Sequence, residues 1–260
     1  MIYLYVALGA VAFVALCALF VWFNNSCIKI TRVKRTVEGA KKLKIVHLSD
    51  LHGKRFGKNS VKLIKKVAKE SPDFIAITGD IIHLYTQKNI EVASEVVSAL
   101  KEVAPVVYVA GNHEMRNKGY RNLRKILVEA GVTVLDDKVE EVCGITVAGL
   151  NGASLKNDRI DKITPDVSPK ILLAHEPQYF EKYAAAGYDL VLCGHAHGGQ
   201  WRVPFTGIGL FAPGQGVFPK YTAGVHEKGK TSMIISRGLG NSEFPLRLFN
   251  RPEIVVIEIN

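Results

Sequence analysis

The first 23 residues carry no charged side chain, although charged residues make up 22% of the 260-residue chain. As a helix this run reaches roughly 34 Å at about 1.5 Å per residue, enough to span a bilayer, and its apolar surface on every side argues against a buried hairpin helix. Nothing basic precedes the run, and bulky Trp22 and Phe23 lead into Asn24-Asn25-Ser26 where a cleavage site would need small residues. Both absences argue against a removed signal peptide. The sequence therefore predicts an uncleaved transmembrane anchor over 1–24, a basic juxtamembrane linker over 25–42 and a folded domain over 43–260.

Cysteine is scarce. The four present, Cys17, Cys27, Cys143 and Cys193, form no Cys-x-x-Cys pair, which excludes a dithiol redox motif or zinc knuckle and leaves packing roles. A Cys143–Cys193 bridge in an extracytoplasmic domain is the alternative. There is no internal repeat and no low-complexity tract. A phosphate-cradling nucleotide loop is also missing: in Gly53-Lys54-Arg55-Phe56-Gly57-Lys58 the glycines are one residue too close, and Asn59 stands where Ser or Thr is required.

What is present is a globular composition, 48% hydrophobic, with 34 Lys and Arg against 24 Asp and Glu, a formal net charge of +10. Such an excess suits nucleic acid, an anionic membrane face or phosphorylated substrates. Much of it is juxtamembrane: Lys29, Arg32, Lys34, Arg35, Lys41, Lys42 and Lys44 all follow the apolar run closely. The positive-inside rule then predicts a single-pass protein of the cell membrane with its domain in the cytoplasm. No nucleic-acid-binding motif occurs, and no nucleic-acid partner is expected.

Beyond the basic segment, short runs rich in β-branched residues alternate with helix-period segments, the pattern of an α/β domain. Strands are predicted at 43–49, 73–78, 106–110, 132–135, 145–150, 170–174, 189–193, 231–236 and 253–259. Helices are predicted at 61–70, 90–102, 120–130 and 177–186. Five polar clusters fall at the ends of these strands: Asp50-Leu51-His52, Gly79-Asp80, Gly111-Asn112-His113-Glu114, His175 and Gly194-His195-Ala196-His197. Open α/β sheets place ligands beyond the carboxyl ends of their strands, so side chains distant in sequence can converge there. Asp, His and Asn without a thiolate suit Mn²⁺, Fe²⁺, Co²⁺ or Zn²⁺. Seven candidate ligands exceed the needs of one ion. Two divalent ions about 3.5–4 Å apart, sharing one carboxylate, would use them all and form a clamp for displacement at phosphorus. Asp80 is the natural bridge.

Asp-x-His, Gly-Asp, Gly-Asn-His-Glu, a lone His and Gly-His-x-His, in this order, resemble the calcineurin-like metallophosphoesterase superfamily. His197-Gly198-Gly199-Gln200, Ser236-Arg237-Gly238-Leu239-Gly240 and Phe249-Asn250-Arg251-Pro252-Glu253-Ile254 resemble its YkuE/YaeI-type branch of membrane-associated bacterial phosphodiesterases. The resemblance implies a four-layer α/β/β/α sandwich, with the apolar helix added at its N-terminus. It also implies one metal on Asp50, His52, Asp80 and His197 and a second on Asp80, Asn112, His175 and His195. Metal-activated hydroxide bridging the ions would attack phosphorus. His113, beside Asn112 but outside the ligand pattern, would protonate the leaving oxygen as the catalytic acid. Glu114, where relatives often carry Asp, is expected to orient His113, and Arg116 and Arg237 are candidates to grip a phosphate. The expected activity is hydrolysis of phosphodiester or pyrophosphate bonds. A membrane lipid or nucleotide-linked lipid is the natural substrate, since some relatives are associated with cleavage of UDP-2,3-diacylglucosamine in lipid A synthesis. A phosphoprotein or phosphomonoester phosphatase is the alternative enzyme, but Ile82-His83-Leu84 stands where such phosphatases carry Asp-Arg-Gly. A membrane-tethered binding module without catalysis would be expected to have an eroded ligand set.

Three histidines stand apart from this set. His47 is expected to pack within the first strand, and His226 to lie in a turn beside Glu227. His83 occupies a position where many relatives carry an acidic residue, so its role stays open. The lysines at 58, 62, 65, 66 and 69 read as a solvated helix face, with a membrane-apposed face as the minority option. Phe205, Phe211, Phe218, Phe244 and Phe249 are expected mostly to fill the core, with a lipid-accepting groove as the alternative.

Overall fold

The computed structural model describes residues 1–151, 160–242 and 244–260. Its centre is a pair of six-stranded sheets packed face to face. The first contains β1 (Lys29–Arg35), β2 (Leu43–Leu48), β3 (Phe74–Thr78), β4 (Val106–Val109), β5 (Thr133–Val134) and β14 (Glu253–Ile259), in the order β1-β14-β2-β3-β4-β5. The second contains β6 (Lys138–Val142), β7 (Ile145–Leu150), β8 (Lys170–Ala174), β9 (Leu190–Cys193), β12 (Gly224–Lys228) and β13 (Thr231–Ile235), in the order β12-β13-β9-β8-β7-β6. Apart from both sheets, β10 (Phe211–Ala212) and β11 (Gly216–Val217) form a small antiparallel pair.

Alternation along the strands divides the apolar side chains between two interiors. In β2, Leu43 and Ile45 face the second sheet, whereas Val46 and Leu48 face the helices. Ile45, Val107, Val147, Leu173 and Leu192 belong to the inter-sheet core. Outside the first sheet, α2 (Val61–Glu70), α3 (Gln87–Lys101) and α5 (Tyr120–Glu129) insert Leu63, Val67, Val96, Leu100 and Leu123. Outside the second, α6 (Phe180–Ala185) inserts Phe180 and Tyr183. The result is the four-layer α/β/β/α arrangement.

His47 is buried within β2 and pairs through Nε2 with Thr78 Oγ1 at 2.8 Å, a packing role as expected. Burial holds its imidazole down at about 3, so it is neutral. All four cysteines are free, with Cys143 exposed and Cys193 buried; no bridge joins them. His226 lies within β12 rather than in a turn.

Two expectations need correction. Segment 25–42 is not a bare linker, because β1 pairs in parallel with β14 along Lys29–Arg35. Its lysines and arginines disguise it; charge is how an edge strand avoids pairing with another chain. The phenylalanines do not fill the core: Phe205, Phe211, Phe218, Phe244 and Phe249 are all exposed, Phe205 completely.

Helix α1 (Ile2–Ser26) is 25 residues long with a mean hydropathy of 2.6 over its most apolar window, none of which is buried against the domain. By length and composition it can cross a membrane, a property that signal sequences share. Its base is tied into the domain. Asn24 is buried, Arg247 N donates to Asn25 Oδ1 at 2.9 Å, Asn25 Nδ2 donates to Arg247 O at 3.2 Å, and Lys54 Nζ donates to Asn25 O at 2.6 Å.

Candidate metal centre

Every predicted cluster leaves its strand at the same edge of the double sheet. Asp50 and His52 follow β2, Asp80 follows β3, and Asn112 and His113 follow β4, on three neighbouring strands of the first sheet. His175 follows β8 and His195 and His197 follow β9, neighbours in the second. Gly111-Asn112-His113-Glu114 winds into a helical turn, α4 (Asn112–Met115). Among the expected ligands, Asp50, His52, Asp80, His195 and His197 hold left-handed backbone, with φ between 47° and 65°. Non-glycine residues adopt this region rarely, and such strain concentrates where surrounding structure fixes a functional geometry. The glycines of the motifs make room for these turns. A methyl group on Gly111 would sit 2.7 Å from Asp80 N, and one on Gly194 would sit 2.5 Å from Asp50 Oδ2.

The seven side chains form two linked groups. In one, His52 Nε2 lies 3.1 Å from His197 Nε2, and His197 Nε2 lies 3.5 Å from Asp50 Oδ1. In the other, His175 Nε2 lies 3.0 Å from Asp80 Oδ2, 3.1 Å from Asn112 Oδ1 and 3.2 Å from His195 Nδ1. Asp80 Oδ2 reaches both, being also 3.8 Å from His52 Nε2. Ligands about 2.1 Å from one ion and near right or tetrahedral angles to each other stand roughly 3.0–3.4 Å apart, so these separations fit cation sites. Asp50, His52 and His197 can hold one ion, and Asp80, His175 and His195 another.

Protonation favours the same use. Burial lowers the imidazoles of His52 and His195 to about 3, and that of His197 well below its usual range with help from His52 and Arg247. Neutral rings keep the lone pairs that a metal needs. Burial also lowers His175, but Asp80 and Asp50 overcome this and raise it to about 10. Burial raises Asp50 to about 6, whereas Asp80, although buried, is held well below the usual carboxylate range by His175, His52 and His113. A lone imidazolium thus balances the carboxylates where divalent cations fit.

His113 lies at the mouth, a quarter exposed, with Nε2 3.9 Å from Asp80 Oδ2. Its Nδ1 lies 2.9 Å from His83 O, so Nδ1–H donates to that carbonyl and Nε2 is turned toward the centre. Glu114 therefore does something other than the expected orienting of His113. Its carboxylate accepts from Asp80 N at 2.7 Å, Gly111 N at 2.9 Å and Ile82 N at 3.1 Å, fixing the turn that carries Asp80. Burial and then Asp80 raise this carboxyl to about 8, against the pull of the three amides. Glu114→Gln leaves at least one buried amide without an acceptor, a cost of about 1–3 kcal/mol. The thermal midpoint of the full chain in detergent should fall accordingly, and an unchanged midpoint would contradict this role.

His83 packs its ring against His113 and His52, with centroids 4.7 and 5.3 Å away. Arg116 is exposed beyond α4, near enough for its charge to lower His195. Arg237 is not brought to the ligands; its Nε lies 3.7 Å from Glu253 Oε1.

Sequence reasoning missed two supports. Arg247 is fully buried behind His197, with Nη2 3.5 Å from Nδ1, and donates to the carbonyls of Gly240 and Arg237. Glu176 Oε1 lies 3.9 Å from His195 Nε2, placed to orient that ring from outside the centre. Glu176 follows directly on His175, a signal that was available; nothing local marks Arg247.

Residues 43–199 match the family model described as calcineurin-like phosphoesterase. The chain belongs to that family of metal-dependent phosphoric ester hydrolases, which use two divalent metals, and the paired clusters provide for both. Phosphodiesterase YaeI of Escherichia coli is 32% identical over 230 residues, 85% of this chain and 84% of that one. The uncharacterized metallophosphoesterase YkuE of Bacillus subtilis is 30% identical over 227 residues, 83% of this chain and 78% of its own. YkoQ, another uncharacterized metallophosphoesterase of Bacillus subtilis, is 27% identical over 253 residues and covered to 92%.

Proposed function

We propose that the chain is a membrane-anchored phosphodiesterase or pyrophosphatase that acts on a lipid-linked phosphoester. The observation that carries this reading is the convergence of all seven expected ligands at one sheet edge, with His113 beside them. One metal would be held by Asp50, His52, Asp80 and His197, and the other by Asp80, Asn112, His175 and His195. When bound, the ions supply an activated water and positive charge for the phosphoryl oxygens. The protein's own part is to aim these groups and to hold a proton on His113 Nε2 for the departing oxygen. The phosphodiesterase name of the YaeI relative supports a diester over a monoester substrate.

Anchoring is supported by the apolar length of α1 together with its hydrogen-bonded base, which a removed leader would not need. The basic residues from Lys29 to Lys44 support a cytoplasmic domain. A lipid such as UDP-2,3-diacylglucosamine is the model substrate, met by two-dimensional search.

Full chain in detergent should turn over bis-p-nitrophenyl phosphate with Mn²⁺ and lose this activity to a chelator. Absence of metal-dependent turnover would end the diesterase reading, and faster release from a phosphopeptide would favour a phosphatase instead. Protease access in sealed vesicles tests the orientation.

A further inference from the structure

Two cavities flank the last turn of α1 and share Phe23 and Arg251. The larger, about 490 Å³, opens between the helix base, the loop from Arg202 to Gly207 and the Phe249–Arg251 segment. None of the seven expected ligands lines it. Its cationic walls are Lys29, Arg202, Arg237 and Arg251, and no acidic side chain lines it. Among the described residues only Arg237 of these four has a carboxylate partner, Glu253.

Arg202 is fixed by donating to Gly198 O at 2.6 Å and to Gly207 O, and Arg251 by donating to Cys27 O at 2.8 Å. Both guanidinium groups are thus held in place against solvent-facing apolar surface. Burial and the neighbouring Arg237 lower Arg202 to about 10, and the carboxylate of Glu253 only partly offsets them.

The rim is aromatic. Phe205 stands fully exposed at the loop tip with φ 64°, and Phe249, half exposed with φ 52°, packs against Phe20 of α1 with ring centroids 4.9 Å apart and planes tilted by 59°. Bulky side chains rarely occupy this backbone region, and here they gain no core contact by doing so. Trp22 and Lys62 and Lys66 of α2 line the second cavity on the other side of the helix base.

We propose that the larger cavity binds the phosphate-bearing headgroup of an anionic phospholipid, with Phe205 and Phe249 reaching into the acyl boundary. The occupant follows from charge complementarity and from continuity with α1, whose apolar length ends at this cavity. Aromatic rings and basic side chains favour the interface of an anionic leaflet. The site seats the catalytic domain on the bilayer in one orientation, separately from substrate cleavage, and it rests on the anchored reading above.

The test is native mass spectrometry of the full chain released from detergent, after addition of phosphatidylglycerol, phosphatidylcholine or soluble glycerol phosphate. One phosphatidylglycerol should be retained with at least a tenfold preference over phosphatidylcholine, and glycerol phosphate should not be held. The double variant Lys29→Glu/Phe205→Ser alters two surface side chains outside the metal centre. It should lose this retention at least tenfold while keeping turnover of the soluble diester. Equal retention of both lipids, equal binding of glycerol phosphate, or full retention by the variant would overturn the site alone. A chain isolated from membranes without its first 26 residues would overturn the anchor and the site together.

Discussion

Asp80→Asn is expected to lower metal affinity by about 10²–10⁴-fold and to take diester turnover down with it. Asp80 Oδ2 is the atom that both ligand groups share, 3.0 Å from His175 Nε2 and 3.8 Å from His52 Nε2. Asparagine can keep the contact from His113 N to Oδ1, 2.9 Å in the native chain, and it tolerates the left-handed backbone at φ 53°. The fold should therefore survive. What is lost is the shared negative charge, and removing one partner from a buried ionic cluster costs about 3–5 kcal/mol, equivalent to the affinity loss given. Metal content measured by plasma mass spectrometry on protein loaded with Mn²⁺ should fall together with the rate. A variant that keeps two equivalents of metal would remove Asp80 from the shared position proposed for it.

The same residue shows how much of the centre could be read in advance. The strand runs 145–150, 170–174 and 253–259 and the helix 61–70 match the structure residue for residue, because each combines an uninterrupted apolar pattern with clear punctuation. Polar clusters at strand ends were legible for the same reason: a buried strand has no use for Asp or His until it leaves the sheet. The strand β1 was hidden by its own charge, since only Ile30 and Val33 face inward while its lysines and arginines meet solvent. Orientation within the site was not legible at all. Glu114 and His83 lie one and thirty residues from His113, yet the His83 carbonyl is what holds the ring. Which backbone group approaches a side chain depends on left-handed turns such as those at Asp50 and Asp80, and residue type alone does not specify these. Arg247 illustrates the opposite failure. A buried arginine in a Pro-Leu-Arg-Leu-Phe stretch looks like surface until the tertiary fold wraps three carbonyls around it.

His113→Ala should separate proton delivery from metal binding. Its ring is partly exposed, and the backbone N of residue 113, which donates to Asp80 Oδ1 at 2.9 Å, is kept by alanine. Two equivalents of metal and an unchanged thermal midpoint are therefore expected. The rate should fall by about 10²–10⁴-fold, the usual worth of a positioned general acid. The loss should depend on the leaving group. A nitrophenolate departs without help, so bis-p-nitrophenyl phosphate should show the smaller effect, and an alkyl diester, whose alkoxide must be protonated as it leaves, the larger. Equal losses on both substrates would indicate that His113 positions the phosphoryl group rather than donating a proton. A parallel loss of metal would instead make it a ligand, as its closeness to His52 and His83 would allow.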